Sequence, residues 1–305
     1  MEYDINGKLM KTRSTFQEFL DVSAECAEIS EQSGEGEKGS LEVSSKPDSF
    51  YGDALTYEEM LGFCYSGYNA RAIQDMGDRV DEHLTTIQDD DELSVDGESL
   101  DVGTFLSGSD KCFWRESDEK PKRAQIHIVF SSNATAGHGS DAFLVHGGTL
   151  VALANALDAQ YDVKVSGYFT NVGVFTGKGC QVFEIKDYPE AMDCARLGAV
   201  THPSWFRRIG FAMFESLGKF LGESECGRRY GRSVTDRDRT QVVDDYEFAE
   251  WCRIDEDEIV VDFPAPSRHQ FAHGPAKAAE WLEREIDKIK SKVEAGEQYI
   301  KMFDE

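Results

Sequence analysis

The sequence predicts an α/β protein with an open, mainly parallel β-sheet flanked by helices. From residue 124 onward, short apolar runs that fit strands alternate with stretches of helical periodicity, which is the pattern of βαβ units. The run at 124–130 is mostly apolar, as expected for a parallel strand that is buried on both faces, whereas the run at 161–172 alternates between apolar and polar residues. The first 120 residues differ in composition and are predicted to form an acidic α+β appendage to this core.

The elements of the α/β region follow from these runs. Strands are expected at 124–130, 161–172, 180–188 and 258–264. A helix is expected at 146–160, because Leu150, Leu153 and Leu157 recur on one helical face. Further helices are expected within 189–221, with a break at Pro203, and over 274–300.

The N-terminal third combines helical segments with polar and acidic stretches. A short helix is predicted within 12–29, and the Gly- and Ser-rich residues that follow are typical of a linker. Thr56 and Glu59 have the spacing of a capping box at the start of a second helix. Nine acids and no base occupy 81–101, where a hairpin is predicted with its turn at Asp96–Gly97. We therefore predict a flexible segment at 1–48, an acidic region at 49–120 and an α/β domain at 121–305.

The net charge and the cysteine count limit the cellular environments that suit the protein. The chain has 58 acids against 32 bases, a net charge of −26, and residues 1–120 hold 29 of the acids and 10 of the bases. Such an excess suits a salt-rich cytoplasm, where salt screens the repulsion. Seven cysteines without a CxxC pair argue against a disulfide framework or a zinc knuckle. No apolar run reaches membrane-spanning length and no signal peptide opens the chain, so we expect a host-cell cytoplasmic protein or a virion component.

The loop after the first core strand is the first candidate site, because ligands of open α/β sheets lie at the carboxyl ends of strands. Hydroxyl, amide and carboxylate side chains occur there, at Ser131, Ser132, Asn133, Thr135 and Asp141. Such groups hold a hard cation or an anion. The alternative is a turn that caps the next helix through Ser140 or Asp141.

Standard nucleotide and catalytic motifs are absent from the sequence. The run GVFTGKG at 173–179 lacks the spacing of a P-loop and is predicted to be a hairpin between two strands. There is no GxGxxG after a strand, no GxSxG and no HExxH. None of the seven histidines has a partner that the sequence can name.

One segment opposes the acidic trend. Residues 226–240 contain five arginines against Asp236 and Asp238. Arginine forks grip phosphates and carboxylates, so a partner- or anion-binding role is predicted for Arg228, Arg229, Tyr230 and Arg232. Pairing with the protein's own acids and contact with a protein partner are both favoured over nucleic acid, because a net charge of −26 repels a phosphate backbone.

The strand IHIVF followed by SSNAT resembles the opening of a von Willebrand factor A-type domain. In that family, with its Rossmann-like core, the strand ends in D-x-S-x-S and holds a divalent metal. Ser131, Asn133 and Thr135 occupy those three places, and Asp187 falls where the family often has a loop carboxylate. The resemblance implies a Mg²⁺ site, which is degenerate because the first Asp is Ser131.

Three longer runs, SFYGDALTYEEMLGFCYSGYN, VDGESLDVGTFLSGSDKCFW and IHIVFSSNATAGHGSDAF, resemble an uncharacterised family of tailed bacteriophages and viruses of halophilic archaea. This resemblance implies a viral or mobile-element origin and a halophilic host. It implies no activity.

Three functions remain open from the sequence. The favoured one is a non-enzymatic protein-interaction module with a protein partner, such as an AAA+ ATPase or a virion component. The second is a nucleic-acid-associated protein that uses the arginine-rich segment. The third is a metal-dependent hydrolase at the 131–141 loop, with Ser131, Asn133, Asp141 and Asp187.

Overall fold

The computed structural model describes residues 2–6, 9–33, 56–68, 70–81, 93–94, 99–100, 113–114, 123–133, 140–158, 160–173, 177–188, 190–210, 212–213, 231–233, 252, 258–266, 271, 273–297 and 299–301. Before residue 123 its elements are β1 (Glu2–Asn6), β2 (Leu9–Thr15), α1 (Phe16–Ser33), α2 (Tyr57–Ser66), α3 (Ala70–Asp81), β3 (Leu93–Ser94), β4 (Ser99–Leu100) and β5 (Phe113–Trp114).

The α/β region contributes the remaining elements. They are β6 (Gln125–Ser131), α4 (Ser140–Asp158), β7 (Asp162–Gly173), β8 (Gly177–Lys186), α5 (Cys194–Val200), a π-helical turn (Trp205–Gly210), β9 (Gly231–Ser233), β10 (Glu258–Phe263), α6 (Pro275–Glu294) and β11 (Tyr299–Lys301). The predicted strands, the helix with Leu150, Leu153 and Leu157 inside, and the break near Pro203 are therefore confirmed, with boundaries moved by a few residues.

Eight strands form one mixed sheet in the order β1-β2-β8-β7-β6-β10-β11, and β9 pairs with β7 beside this path. The pairs β6–β7, β6–β10, β10–β11 and β2–β8 are parallel. The pairs β1–β2, β7–β8 and β7–β9 are antiparallel. The predicted open α/β fold is confirmed, and the antiparallel β7–β8 pair confirms a hairpin around 173–179.

The hydrophobic core lies between one face of this sheet and the helices. Ile126, Ile128 and Phe130 alternate along β6 toward the core, and the odd-numbered positions Ile259, Val261 and Phe263 do the same on β10. Residues of α1 to α6 complete the same cluster. The other face carries the remaining positions of each strand, including His127, Lys164 and Asp262, and these side chains are also buried.

The core crosses the boundary that the sequence predicted at residue 121. Within the segment 1–48, which was expected to be flexible, the described strand β2 pairs in parallel with β8, and the described helix α1 packs on the sheet. Phe19 contacts both Phe183 and Trp205, with ring centroids 5.4 and 5.3 Å apart. This part of the predicted appendage is integrated into the core because Phe16, Phe19 and Leu20 bury one face of α1.

The predicted two-stranded acidic hairpin is wrong in its pairing. β3 and β4 do not pair with each other, because β5 lies between them and pairs antiparallel with both. Phe113 and Trp114 of β5 have high strand propensity, and their central position separates the two acid-flanked strands. The turn at Asp96–Gly97 lies outside the described residues.

The capping box is confirmed, since Glu59 N–H donates to Thr56 Oγ1 at 3.1 Å and Thr56 N–H to Glu59 Oε2 at 3.0 Å. The helix that this box begins, α2, ends at Ser66, and after a turn at Gly67 a separate helix, α3, begins at Ala70. The φ of 82° at Gly67 lies in the left-handed region that glycine adopts without strain. The turn then packs on α5, where Tyr68 N–H donates to the Ala195 carbonyl at 3.3 Å.

Candidate functional site at the carboxyl edge of the sheet

The loop predicted as a site begins where β6 ends. Ser131 closes the β6 ladder opposite Tyr168 of β7. Ser132 continues it, because its N–H and its hydroxyl each donate to the Tyr168 carbonyl at 2.9 Å. Strand, loop and α4 follow in the order expected for a parallel α/β unit, so the loop lies at the carboxyl edge of the sheet. Thr135 lies outside the described residues.

Asn133 locks this loop to β7. Its side-chain Nδ2 donates to Thr170 Oγ1 at 2.9 Å, and Thr170 N–H donates to Asn133 Oδ1 at 3.0 Å. Both residues are fully buried. The Asn133 amide therefore replaces a strand neighbour for Thr170, which is a structural use of the side chain.

β9 brings the arginine-rich segment to the same edge. Ser233, Arg232 and Gly231 pair with 171–173 of β7. Because β8 occupies the other edge of β7 along this stretch, β9 must lie on the edge that β6 uses, directly beyond Asn133. The topology thus places two segments that the sequence singled out separately next to each other. Arg228, Arg229 and Tyr230 lie outside the described residues, and of Arg232 only the backbone is described.

A buried arginine lies close to the first turn of α4, which follows the loop. The guanidinium carbon of Arg207 lies 5.6 Å from the centre of the Phe143 ring, a cation–π distance. Arg207 and Arg208 are fully buried in the π-helical turn, and such turns recur at functional sites. Arg207 therefore lies beside the N-terminal turn of α4, where the helix dipole is positive.

The expected metal set does not come together. Lys186, which precedes Asp187, pairs with Val165, whereas Ser131 pairs with Tyr168. Asp187 therefore lies about four residues further down the sheet, roughly 13 Å along the strand direction, and two strands across. The carboxylate of Asp187 accepts the Tyr188 N–H at 2.9 Å in an exposed turn, and Asp141 is also exposed.

With Asn133 committed to Thr170, the described residues do not fit a divalent cation at this loop. No cluster of three or more His, Cys, Asp or Glu side chains suited to a metal occurs in the part of the chain that the structure describes. Of the residues on which the metal-hydrolase hypothesis rested, Asp187 is therefore the one that the sheet topology separates from the loop.

A second polar group, on the face of the sheet opposite the described helices, was missed by sequence reasoning. His127 of β6 has its Nε2 2.8 Å from the hydroxyl of Ser166 on β7. Its Nδ1 lies 3.7 Å from Oε2 of Glu258 on β10. All three residues are buried. The sequence analysis named no partner for any histidine, because the partners of His127 come from other strands. The polar residues that interrupt the apolar strands were the signal that could have found this group.

Burial and neighbouring charges shift the pKa values of His127 and Glu258. Burial lowers the pKa of His127, against the opposing effect of Glu258. Burial by itself raises the pKa of Glu258, but His127, Lys164 and the Tyr188 hydroxyl together more than offset it and hold that pKa below its usual value. Lys164 also pairs with Glu184 at 3.3 Å. Glu258 is accordingly ionised and His127 neutral at pH 7.

Comparison with known proteins identifies the family. A family model described as a domain of unknown function, DUF7192, matches residues 8–270. The chain belongs to the DUF7192 family. No curated protein and no solved structure matches it. The DUF7192 match includes α1, the acidic stretch and the strands from β2 to β10, consistent with a core that crosses residue 121. Across the described ranges, no helix combines the length and apolarity needed to cross a bilayer.

Proposed function

We propose that this DUF7192 protein is an interaction module that binds a phosphate- or carboxylate-bearing segment of a protein partner at the carboxyl edge of its sheet. The observation that supports it is the pairing of β9 with 171–173, which brings the arginine-rich segment beside the loop after β6. Five arginines within 226–240 supply bidentate donors for such anions.

The surroundings of this edge favour an anion. Arg207 near Phe143 adds buried positive charge beside the first turn of α4, and backbone N–H groups at a helix start bind anions. The surrounding molecule carries a net charge of −26. An anionic segment would therefore be held at one place and repelled elsewhere, which gives the site selectivity.

The biological setting belongs to the same proposal. A viral or mobile-element protein in the salt-rich cytoplasm of a halophilic host fits the acidic composition, with an AAA+ ATPase or a virion component as partner. The von Willebrand factor A-like reading of the core is supported by the order strand, helix, strand, strand in β6, α4, β7 and β8. In this interpretation the loop after β6, which corresponds to the metal-binding loop of that family, forms part of an anion site.

Inorganic phosphate is a direct probe of the anion site. Thermal unfolding is measured in potassium chloride and in potassium phosphate at equal ionic strength. A ligand that binds only the folded state raises the unfolding midpoint. We expect part of the rise in phosphate to disappear when Arg228, Arg229 and Arg232 are all replaced by Ala.

The matched control replaces Arg71, Arg79 and Arg284, which are exposed on α3 and α6, by Ala. It changes the net charge equally and shares the general stabilising effect of phosphate. Equal midpoint shifts in the two triple variants would contradict the proposal. A partner captured from host cells supports it only if phosphate elutes that partner and the Arg228, Arg229 and Arg232 variant fails to retain it.

Nucleic acid is the second candidate, favoured by the same arginines and the interleaved Tyr230. Binding of single-stranded DNA over a salt series decides it, because each phosphate contact adds to the salt slope. A slope that is unchanged in the triple arginine variant excludes this candidate.

A further inference from the structure

The strongest unassigned feature lies on the buried face of the sheet opposite the described helices. His127, Ser166 and Glu258 come from three adjacent strands, β6, β7 and β10, and no part of the proposed anion site uses them. The side chains of His127 and Ser166 are in hydrogen-bond contact, at 2.8 Å. Glu258 faces the other ring nitrogen at 3.7 Å.

The chemistry of the partners fixes where the protons are. An ionised carboxylate only accepts hydrogen bonds, so the ring proton of His127 belongs on Nδ1, facing Glu258. Nε2 then carries the lone pair, and the Ser166 hydroxyl donates to it. Hydroxyl, imidazole and carboxylate in this order have the polarity of a nucleophile, its base and the acid that orients the base.

The distance between His127 and Glu258 bears on whether this group can act in catalysis. Within the described structure, neither Nδ1 of His127 nor Oε2 of Glu258 has a hydrogen-bond partner. A move of about 0.8 Å would close a normal bond. Catalytic hydrogen bonds are often long without substrate and tighten when it binds.

We propose that Ser166 is a nucleophile activated by His127 and oriented through Glu258, and that it accepts an acyl group from a small carboxylic ester. Ser166 Oγ attacks the carbonyl carbon while its proton passes to His127 Nε2. The bond to the alkoxy group breaks, and the leaving oxygen takes that proton. Water then attacks the acyl-serine through the same base, releasing the acid and restoring Ser166. This activity goes beyond the interaction function and beyond the expected non-enzymatic module.

Phenylmethanesulfonyl fluoride and p-nitrophenyl acetate, both small, are the probes for this buried serine. The sulfonyl fluoride forms a bond from sulfur to Ser166 Oγ and releases fluoride. Intact mass followed by peptide mapping locates the adduct, and p-nitrophenol release measures turnover. We expect one adduct, on Ser166, and a loss of labelling rate of about 100-fold or more in His127→Gln, the usual size of a general-base effect.

The control variant is Ser23→Ala, which removes another buried hydroxyl, one that is bonded to Tyr57 and not to a histidine. It should keep the labelling rate. Labelling of the unaltered protein decides the proposal even if Ser166→Ala does not fold. No adduct on Ser166, or an adduct that forms equally fast in folded His127→Gln, would overturn the nucleophile while leaving the anion site untouched.

Discussion

Replacing Asn133 by Ala tests whether the loop after β6 is locked to β7 or is free to bind a ligand. The change removes two hydrogen bonds, of 2.9 and 3.0 Å, to the side chain and backbone of Thr170. The Thr170 N–H is then buried without an acceptor, at a cost of about 1–3 kcal/mol, and the second bond contributes about 1 kcal/mol. We expect a loss of about 2–4 kcal/mol in the free energy of unfolding.

The assay is urea unfolding followed by tryptophan fluorescence and circular dichroism at constant high salt. Thr170→Val is the matched variant, because it removes only the hydroxyl bond and should cost about 1 kcal/mol. The double variant should cost less than the sum, since the two residues share one bond. The reasoning is refuted if Asn133→Ala costs no more than Thr170→Val, or if Mg²⁺ stabilises the unaltered protein but not Asn133→Ala.

Three further predictions concern the stability of the fold. Burial lowers the pKa of His146 to about 4 from 6.5, so the unfolded chain binds a proton that the folded one does not. Stability should fall by up to about 3 kcal/mol as the pH drops from 6.5 to 4, and urea unfolding of His146→Gln should show less of this pH dependence. In Gly198→Ala the new Cβ would lie 1.8 Å from the Tyr68 carbonyl oxygen, so we expect the free energy of unfolding, measured from thermal melts, to fall by about 3 kcal/mol. An unchanged unfolding midpoint would contradict the packing of α5. Thr56→Ala should lower the free energy of unfolding by about 1 kcal/mol, because the helix cap is lost. Ser66→Ala, at the other end of α2, should lower it by less.

Features set by local sequence could be predicted, and features set by long-range pairing could not. The capping box at Thr56 and the leucine stripe of α4 depend on neighbours three to seven residues apart. β1 and β2 were missed as strands because they are short and mostly polar, and only pairing with β8 identifies them. The acidic hairpin was predicted wrongly because nothing near Asp96–Gly97 shows that β5 inserts between its strands.

The same distinction between local sequence and long-range pairing applies to the candidate site. The sequence singled out Asn133 and Arg232, but their proximity depends on β9 pairing with the end of β7. The expected contribution of Asp187 failed because β8 runs antiparallel to β7. His127 and Ser166 are 39 residues apart in the sequence, and no motif spans that distance across two strands.

The location of a bound anion tests the central claim most directly. Crystals soaked in sodium tungstate, a phosphate mimic with a strong anomalous signal, would show it. We expect tungstate between β9 and the loop that follows Asn133, contacting the arginine-rich segment, and we expect it to be absent from crystals of the Arg228, Arg229 and Arg232 variant. Tungstate bound only elsewhere, or equally well in that variant, would contradict an anion site at the carboxyl edge of the sheet.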